Sequence, residues 1–156
     1  MRPNPILLAL GLILGCGISS TYADTLYVTG RTDASGIIEE ISSAGVGSVF
    51  TTTTSFSPEG LAFDSSGKLY VAEGNTIQTF TPGAVNATFA STNLSDVNGI
   101  AFDHSGNLYA ANFLGNSEIT KITSAGATSI FATSANGLNV PYGFAVDSSG
   151  NLYASN

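Results

Sequence analysis

All-β, built from one four-stranded unit written repeatedly, is the fold class this sequence predicts, and three observations predict it. Three segments align residue for residue: Pro58 to Ala72, Val97 to Ala111 and Pro141 to Ser155, and their aspartates Asp64, Asp103 and Asp147 stand 39 and then 44 residues apart. Each repeat divides into short runs of strand formers separated by Gly, Ser, Asn and Asp. The composition agrees, with 18 Gly, no Trp and only 10% charged residues among 156. A fixed period of about 40 residues with several short strands per period is the signature of propeller blades.

The elements follow in chain order. Residues 6–18 are almost wholly apolar and are preceded by Arg2; this run is too short for the ~20 residues of a membrane-spanning helix. Thr21 and Ala23 then supply small residues at the −3 and −1 positions of a cleavage site, so residues 1–23 read as a secretory signal removed before Asp24. Export to the periplasm or the medium is the expected address. A second reading is lipid attachment at Cys16, because Ile13-Leu14-Gly15-Cys16 loosely resembles a bacterial lipobox. After cleavage, 3 basic residues would face 11 acidic ones, a mature charge of −8, and no thiol would remain.

The partial propeller is expected over residues 24–156, with repeats near 25–53, 58–91, 97–133 and 141–156. The first supplies strands over 25–28, 37–41 and 48–52, equivalent to the second, third and fourth strands of a blade. The second supplies 60–63, 69–72, 76–81 and 87–91. The third supplies 99–102, 108–111, 118–122 and 128–133, and the last 143–146 and 152–155. The first link of each blade, as in Asp64-Ser65-Ser66-Gly67, is a turn in which the carboxylate accepts from amides just ahead while Gly provides the positive φ. Thirteen strands make about three blades, whereas a closed propeller takes about four to eight. Two expectations follow from closure: the sequence is a piece of a longer propeller, or identical chains complete a ring.

Composition also excludes function classes. A formal charge of −7 argues against nucleic acid, whose phosphates need a basic surface. One Cys and one His exclude a zinc site built only from such ligands. There is no Gly-x-Ser-x-Gly elbow and no phosphate-cradling glycine loop. His104, the sole histidine, falls in a turn where the other repeats have Ser65 and Ser148, which reads as a solvated turn residue. Tyr27, Tyr70, Tyr109 and Tyr153 recur at one strand position and are expected to pack between blades.

The pattern Pro-x-Gly-Leu/Ile-Ala-x-Asp-x-x-Gly-x-Leu-Tyr-Val/Ala-Ala resembles that of NHL-repeat proteins and of the related calcium-dependent sugar lactonases, the gluconolactonase-like (SMP-30) propellers. It covers essentially all of residues 25–156. The resemblance implies a six-bladed propeller in full-length form, with a binding surface at one end of a central channel. NHL repeats imply a platform for a protein or small-molecule ligand. The lactonases imply a Ca2+ at the channel mouth, held by a Glu before Gly, by Asn residues and by an Asp. Glu59 precedes Gly60 and Asn98 precedes Gly99, so these two are the candidate metal ligands; the third equivalent is Tyr142, whose neutral phenol is a poor ligand for a hard cation.

Glu73, Asn112 and Asn156 share one position just after the second strand of successive repeats. They are candidates for a polar channel rim together with Tyr142, or they satisfy loop backbone through short side-chain hydrogen bonds. The sequence thus points to an exported binding or scaffold module without cofactor, with a Ca2+-dependent lactone hydrolase as the alternative.

Overall fold

The computed structural model describes residues 25–53, 55, 57–80, 86–115 and 117–156. The signal segment 1–23 and Cys16 lie outside the described residues. The described residues form thirteen strands and one turn of 3-10 helix: β1 (Leu26–Arg31), β2 (Gly36–Ile41), β3 (Gly47–Thr52), β4 (Pro58–Phe63), β5 (Leu69–Glu73), β6 (Thr76–Phe80), β7 (Ala87–Ala90), β8 (Val97–Phe102), β9 (Leu108–Asn112), β10 (Ile119–Ile122), β11 (Thr128–Ala132), β12 (Phe144–Val146) and β13 (Leu152–Ala154). They build four antiparallel meanders, β1-β2-β3, β4-β5-β6-β7, β8-β9-β10-β11 and β12-β13. The all-β propeller expectation is met. β4 and β8 begin two residues earlier than the apolar runs suggest, and the 3-10 turn Ser134–Asn136, capped by Thr133, was not foreseen.

The chain divides into two compact units at Pro58/Glu59. In the first, β1 pairs with β2 and β2 with β3, and Tyr27 meets Phe50 edge-on at 5.3 Å. Gly36 lies so close to Thr53, Ser55 and Pro58 that a side chain there would collide with all three.

The second unit holds two four-stranded sheets and the two-stranded sheet β12–β13. β5 and β9 are buried at every residue, as strands covered on both faces must be. Their alanines, Ala72, Ala110 and Ala111, keep the neighbouring sheets close around a core that includes Ile77, Val97, Leu108 and Ile122. One device repeats across both units: the third and fourth strands slip register just after Ile38, Ile77 and Ile119, three buried isoleucines at equivalent positions. Such bulges sharpen the local twist.

A second device is aromatic. Tyr70 meets Phe89 of its own sheet and Phe102 of the next, each edge-on at 4.9 Å, and Tyr109 meets Phe131 at 4.9 Å. Tyr70 and Tyr109 are buried, as expected of residues packed between sheets. Tyr153 departs from that expectation and is 57% exposed, because the two-stranded β12–β13 sheet leaves one of its faces open.

Candidate functional site

The strand order gives each sheet two ends. At one lie the turns between first and second strands, where Asp64 and Asp103 each bond to a tyrosine hydroxyl. At the other lie the starts of the first strands, the ends of the second strands and the loops after them. Every sequence-proposed ligand of the second unit, Glu59, Glu73, Asn98, Asn112, Tyr142 and Asn156, belongs to this loop end.

The starts of β4, β8 and β12 are held backbone to backbone by glycine. A Cβ built on Gly60 would sit 2.6 Å from the Asn98 carbonyl oxygen and 2.9 Å from the Ile100 nitrogen. One built on Gly99 would collide with the Tyr142 carbonyl and stand 3.0 Å from the Gly143 Cα. The glycine in the third position of the repeat is therefore what lets successive inner strands touch, and it sets Glu59, Asn98 and Tyr142 in a row. Glu59 and Asn98 are half-buried, while Tyr142 is 55% exposed. The Asn98 Nδ2 is buried without a hydrogen-bond acceptor among the described residues.

Bonds between sheets fix the same end. The Val97 amide donates to the Gly74 carbonyl (2.8 Å) and the Asp96 amide to Asn75 Oδ1 (2.8 Å). One sheet on, the Val140 amide donates to Ser117 Oγ (3.1 Å). Each loop after a second strand thus caps the start of the next inner strand.

Glu73 and Asn112 are buried and Asn156 is exposed. Asn112 Oδ1 accepts from the Ser95 amide (3.1 Å), and its Nδ2 donates to the Asn93 carbonyl (3.2 Å) and to Thr120 Oγ1 (3.0 Å). Asn156 Oδ1 accepts from the Asn139 amide (2.5 Å) while its Nδ2 donates to the Gly137 carbonyl (2.8 Å). Of the two uses the sequence offers for this position, loop bonding is the one these amides make.

Charge is distributed unevenly over the second unit. Glu59, Glu73 and Asp96 belong to the loop end. Lys68 and Lys121 lie over the rings of Tyr70 and Tyr109, at 5.5 and 5.6 Å, whose hydroxyls reach Asp64 and Asp103 at the turn end. His104 also belongs to the turn end, beside Gly150, and is not brought together with Glu59 or Asn98. No group of three or more His, Cys, Asp or Glu among the described residues could hold a metal ion. Glu59 and Asn98 offer at most three side-chain oxygens where Ca2+ takes about six to eight, and Tyr142 adds only a phenol, so the three positions do not by themselves make a Ca2+ site.

Phe113, Leu114 and Val140 join Tyr142 as exposed apolar side chains at this end. None is a ligand type, but a comparison of the repeats singles them out, since the preceding repeat has only the short Gly74-Asn75 link and Asp96 here.

No family model matches the sequence, and no curated protein does either. Solved structures do. A gluconolactonase from Xanthomonas campestris matches with a TM-score of 0.67 at 17% identity, over 84% of this chain and 50% of that one. Regucalcin from Agrobacterium tumefaciens, described as a calcium-binding protein, matches with a TM-score of 0.60 at 13% identity, over 77% and 44%. The fold is that of the gluconolactonase-like propellers. A streptogramin B lyase shares it as well, with a TM-score of 0.65 at 16% identity over 82% and 44%. The chain spans about half the length of these propellers. Among its described residues no helix is long and apolar enough to cross a membrane.

Proposed function

We propose that this propeller chain is an exported binding module whose ligand, a small molecule or a protein segment, meets the loop end beside Glu59, Asn98 and Tyr142. The observation that carries the reading is the row itself. Gly60 and Gly99 hold three inner strands in register, yet the side chains they present are a carboxylate, an amide and a phenol rather than one recurring ligand set. Blade positions that serve packing are constant; positions that vary at one end of a repeat fold are where such folds carry specificity. Acidic residues at this end favour a neutral or basic ligand over an anionic one, and nucleic acid is no partner for a chain of charge −7. Export rests on the signal-like residues 1–23. The remaining blades of the ring come from a longer protein of NHL-repeat type or from a second copy of the chain.

The second reading is a Ca2+-dependent lactone hydrolase. It is favoured by the likeness to a gluconolactonase and to a calcium-binding regucalcin, and by Glu59 and Asn98 at the strand starts. On this reading further oxygen ligands come from outside these three positions. Calorimetric titration of the chain with calcium chloride separates the two. The binding-module reading expects no saturable heat that depends on Glu59. A one-to-one isotherm abolished by Glu59→Ala would replace it with the second.

A further inference from the structure

Between two repeats of one fold, positions the blade needs stay alike, so positions that change together are free to serve something else. Three places at the loop end change between successive repeats. Asp96 and Asn98 of one repeat correspond to Val140 and Tyr142 of the next, at the 44-residue offset that relates the turn aspartates. The two-residue link Gly74-Asn75 between second and third strands gives way to a link three residues longer that opens with Phe113-Leu114, and in which Ser117 takes the part of Asn75. Each change brings in large apolar or aromatic side chains, and the preceding sheet forms without them.

All four keep surface open to solvent: they are 38%, 54%, 37% and 55% exposed. Val140 adds conformational cost: its φ is +60°, the left-handed region that a β-branched side chain resists, whereas Asp96 occupies the same region at +48° with the tolerance of an Asp. A valine kept in strained backbone with its side chain still partly exposed is the kind of outlier that points to a ligand clamp. Phe113 and Tyr142 stand edge to face, 6.3 Å between ring centres and 88° between planes, so they form a ledge with two perpendicular walls. The loop bearing Phe113 and Leu114 is tied on both sides, by the Phe113 amide to the Asp96 carbonyl (3.0 Å) and by Ser117 to Val140.

We propose that Phe113, Leu114, Val140 and Tyr142 form a subsite for an uncharged small molecule carrying a flat apolar ring, an inference that rests on the binding-module reading and names its ligand class. Aromatic walls at right angles suit a ring stacked on one and met edge-on by the other. Asp96, whose carbonyl takes the Phe113 amide, brings an acidic side chain to this loop and disfavours an anion. Four side chains are far fewer than the 20 to 30 residues, roughly 800 Å² a side, that a stable protein interface uses, so a second copy is not the occupant.

The test is a fluorescence titration of the full chain with N-phenylnaphthylamine, an uncharged two-ring probe, alongside anionic anilinonaphthalene sulfonate. The variants are Leu114→Asn with Val140→Asp, and Tyr142→Asn; Val140→Asp and Tyr142→Asn install residues the preceding sheet already accepts, and Leu114→Asn falls on an exposed link. Ile130→Thr, an exposed apolar residue of β11, is the control, and circular dichroism checks that each variant folds. The expected result is saturable one-to-one binding of the neutral probe, weakened about tenfold or more by either loop-end variant, unchanged by Ile130→Thr, and stronger than that of the anionic probe. Equal binding by all variants, or tighter binding of the anionic probe, overturns the subsite and leaves the binding-module reading to its calcium titration. A dimer seen by light scattering that the loop-end variants dissociate would overturn it in favour of a second copy.

Discussion

Asn112 and Asn156 make the same pair of hydrogen bonds, each accepting from an amide 17 residues upstream and donating to a carbonyl 19 residues upstream. Two side chains 44 residues apart thus hold two loops in one shape. The asparagine at the end of the second strand ties the sheet back to the loop that feeds its own inner strand.

Asn112→Ala is expected to be the costlier of the two truncations. Asn112 is 3% exposed, and its loss takes the acceptor from the half-buried Ser95 amide and empties a buried site, at about 1–3 kcal/mol, while the Asn93 carbonyl keeps its bond from Thr120 Oγ1. Asn156 is exposed and water replaces its bonds, so Asn156→Ala should cost less than about 1 kcal/mol. Urea denaturation of the two variants checks the order.

Gly60→Ala and Gly99→Ala should each destabilise by about 1–3 kcal/mol, since the new methyl meets backbone that has no rotamer to escape into. Gly47→Ala, where nothing lies within 4 Å, serves as the control and is expected to be neutral or slightly stabilising. Equal midpoints for all three in thermal melts would show that the inner strands have room to spread.

The turn aspartates give the chain an acid limit. Burial pushes the Asp64 and Asp103 carboxyls up, but the bonds they accept outweigh it: from Ser66, Lys68 and Tyr70 in one, from Asn107, Ser105 and Tyr109 in the other. Both end below the ordinary value of 3.8. Asp147 is held down first by the Asn151 side chain and then by its amide. A carboxyl whose folded value is depressed contributes stability that is present in full above its unfolded value and is lost as pH falls through the folded one. Stability should therefore be flat from neutrality to about pH 4 on this account and fall below it. Asp103→Asn should shallow that fall while lowering stability at pH 7, as read from urea midpoints across the pH range.

Tyr70 sits between two rings, and the contacts are separable. A double-mutant cycle of Tyr70→Leu with Phe102→Leu should return a coupling of about 0.5–1.5 kcal/mol, the worth of one edge-on pair beyond its burial. A coupling of zero would make the pair simple area burial.

The blade was legible in the sequence because its needs recur: the Asp-x-x-Gly turn, the Leu-Tyr pair that opens the second strand and the glycine at the inner strand each appear three times at matching places. What was not legible lies between strands. Phe50, Phe89 and Phe131 pair with Tyr27, Tyr70 and Tyr109, yet they lie 19 to 23 residues away on the fourth strand, where spacing varies from repeat to repeat. The early start of β8 at Val97 crosses an irregular register between Val97 and Ile100 that alternation does not announce. At the loop end, metal-ligand chemistry singles out Glu59 and Asn98, whereas the apolar trio beside Tyr142 carries no ligand type and stands out only when one repeat is set against the next.

The proposed binding module does not hydrolyse a lactone with calcium. In a pH-stat titration of glucono-lactone with the full chain, with Ca2+ and with chelator, wild type and Glu59→Ala are expected to leave the uncatalysed rate unchanged in all four conditions. Turnover that requires Ca2+ and disappears with Glu59→Ala would overturn the proposal in favour of the lactone hydrolase.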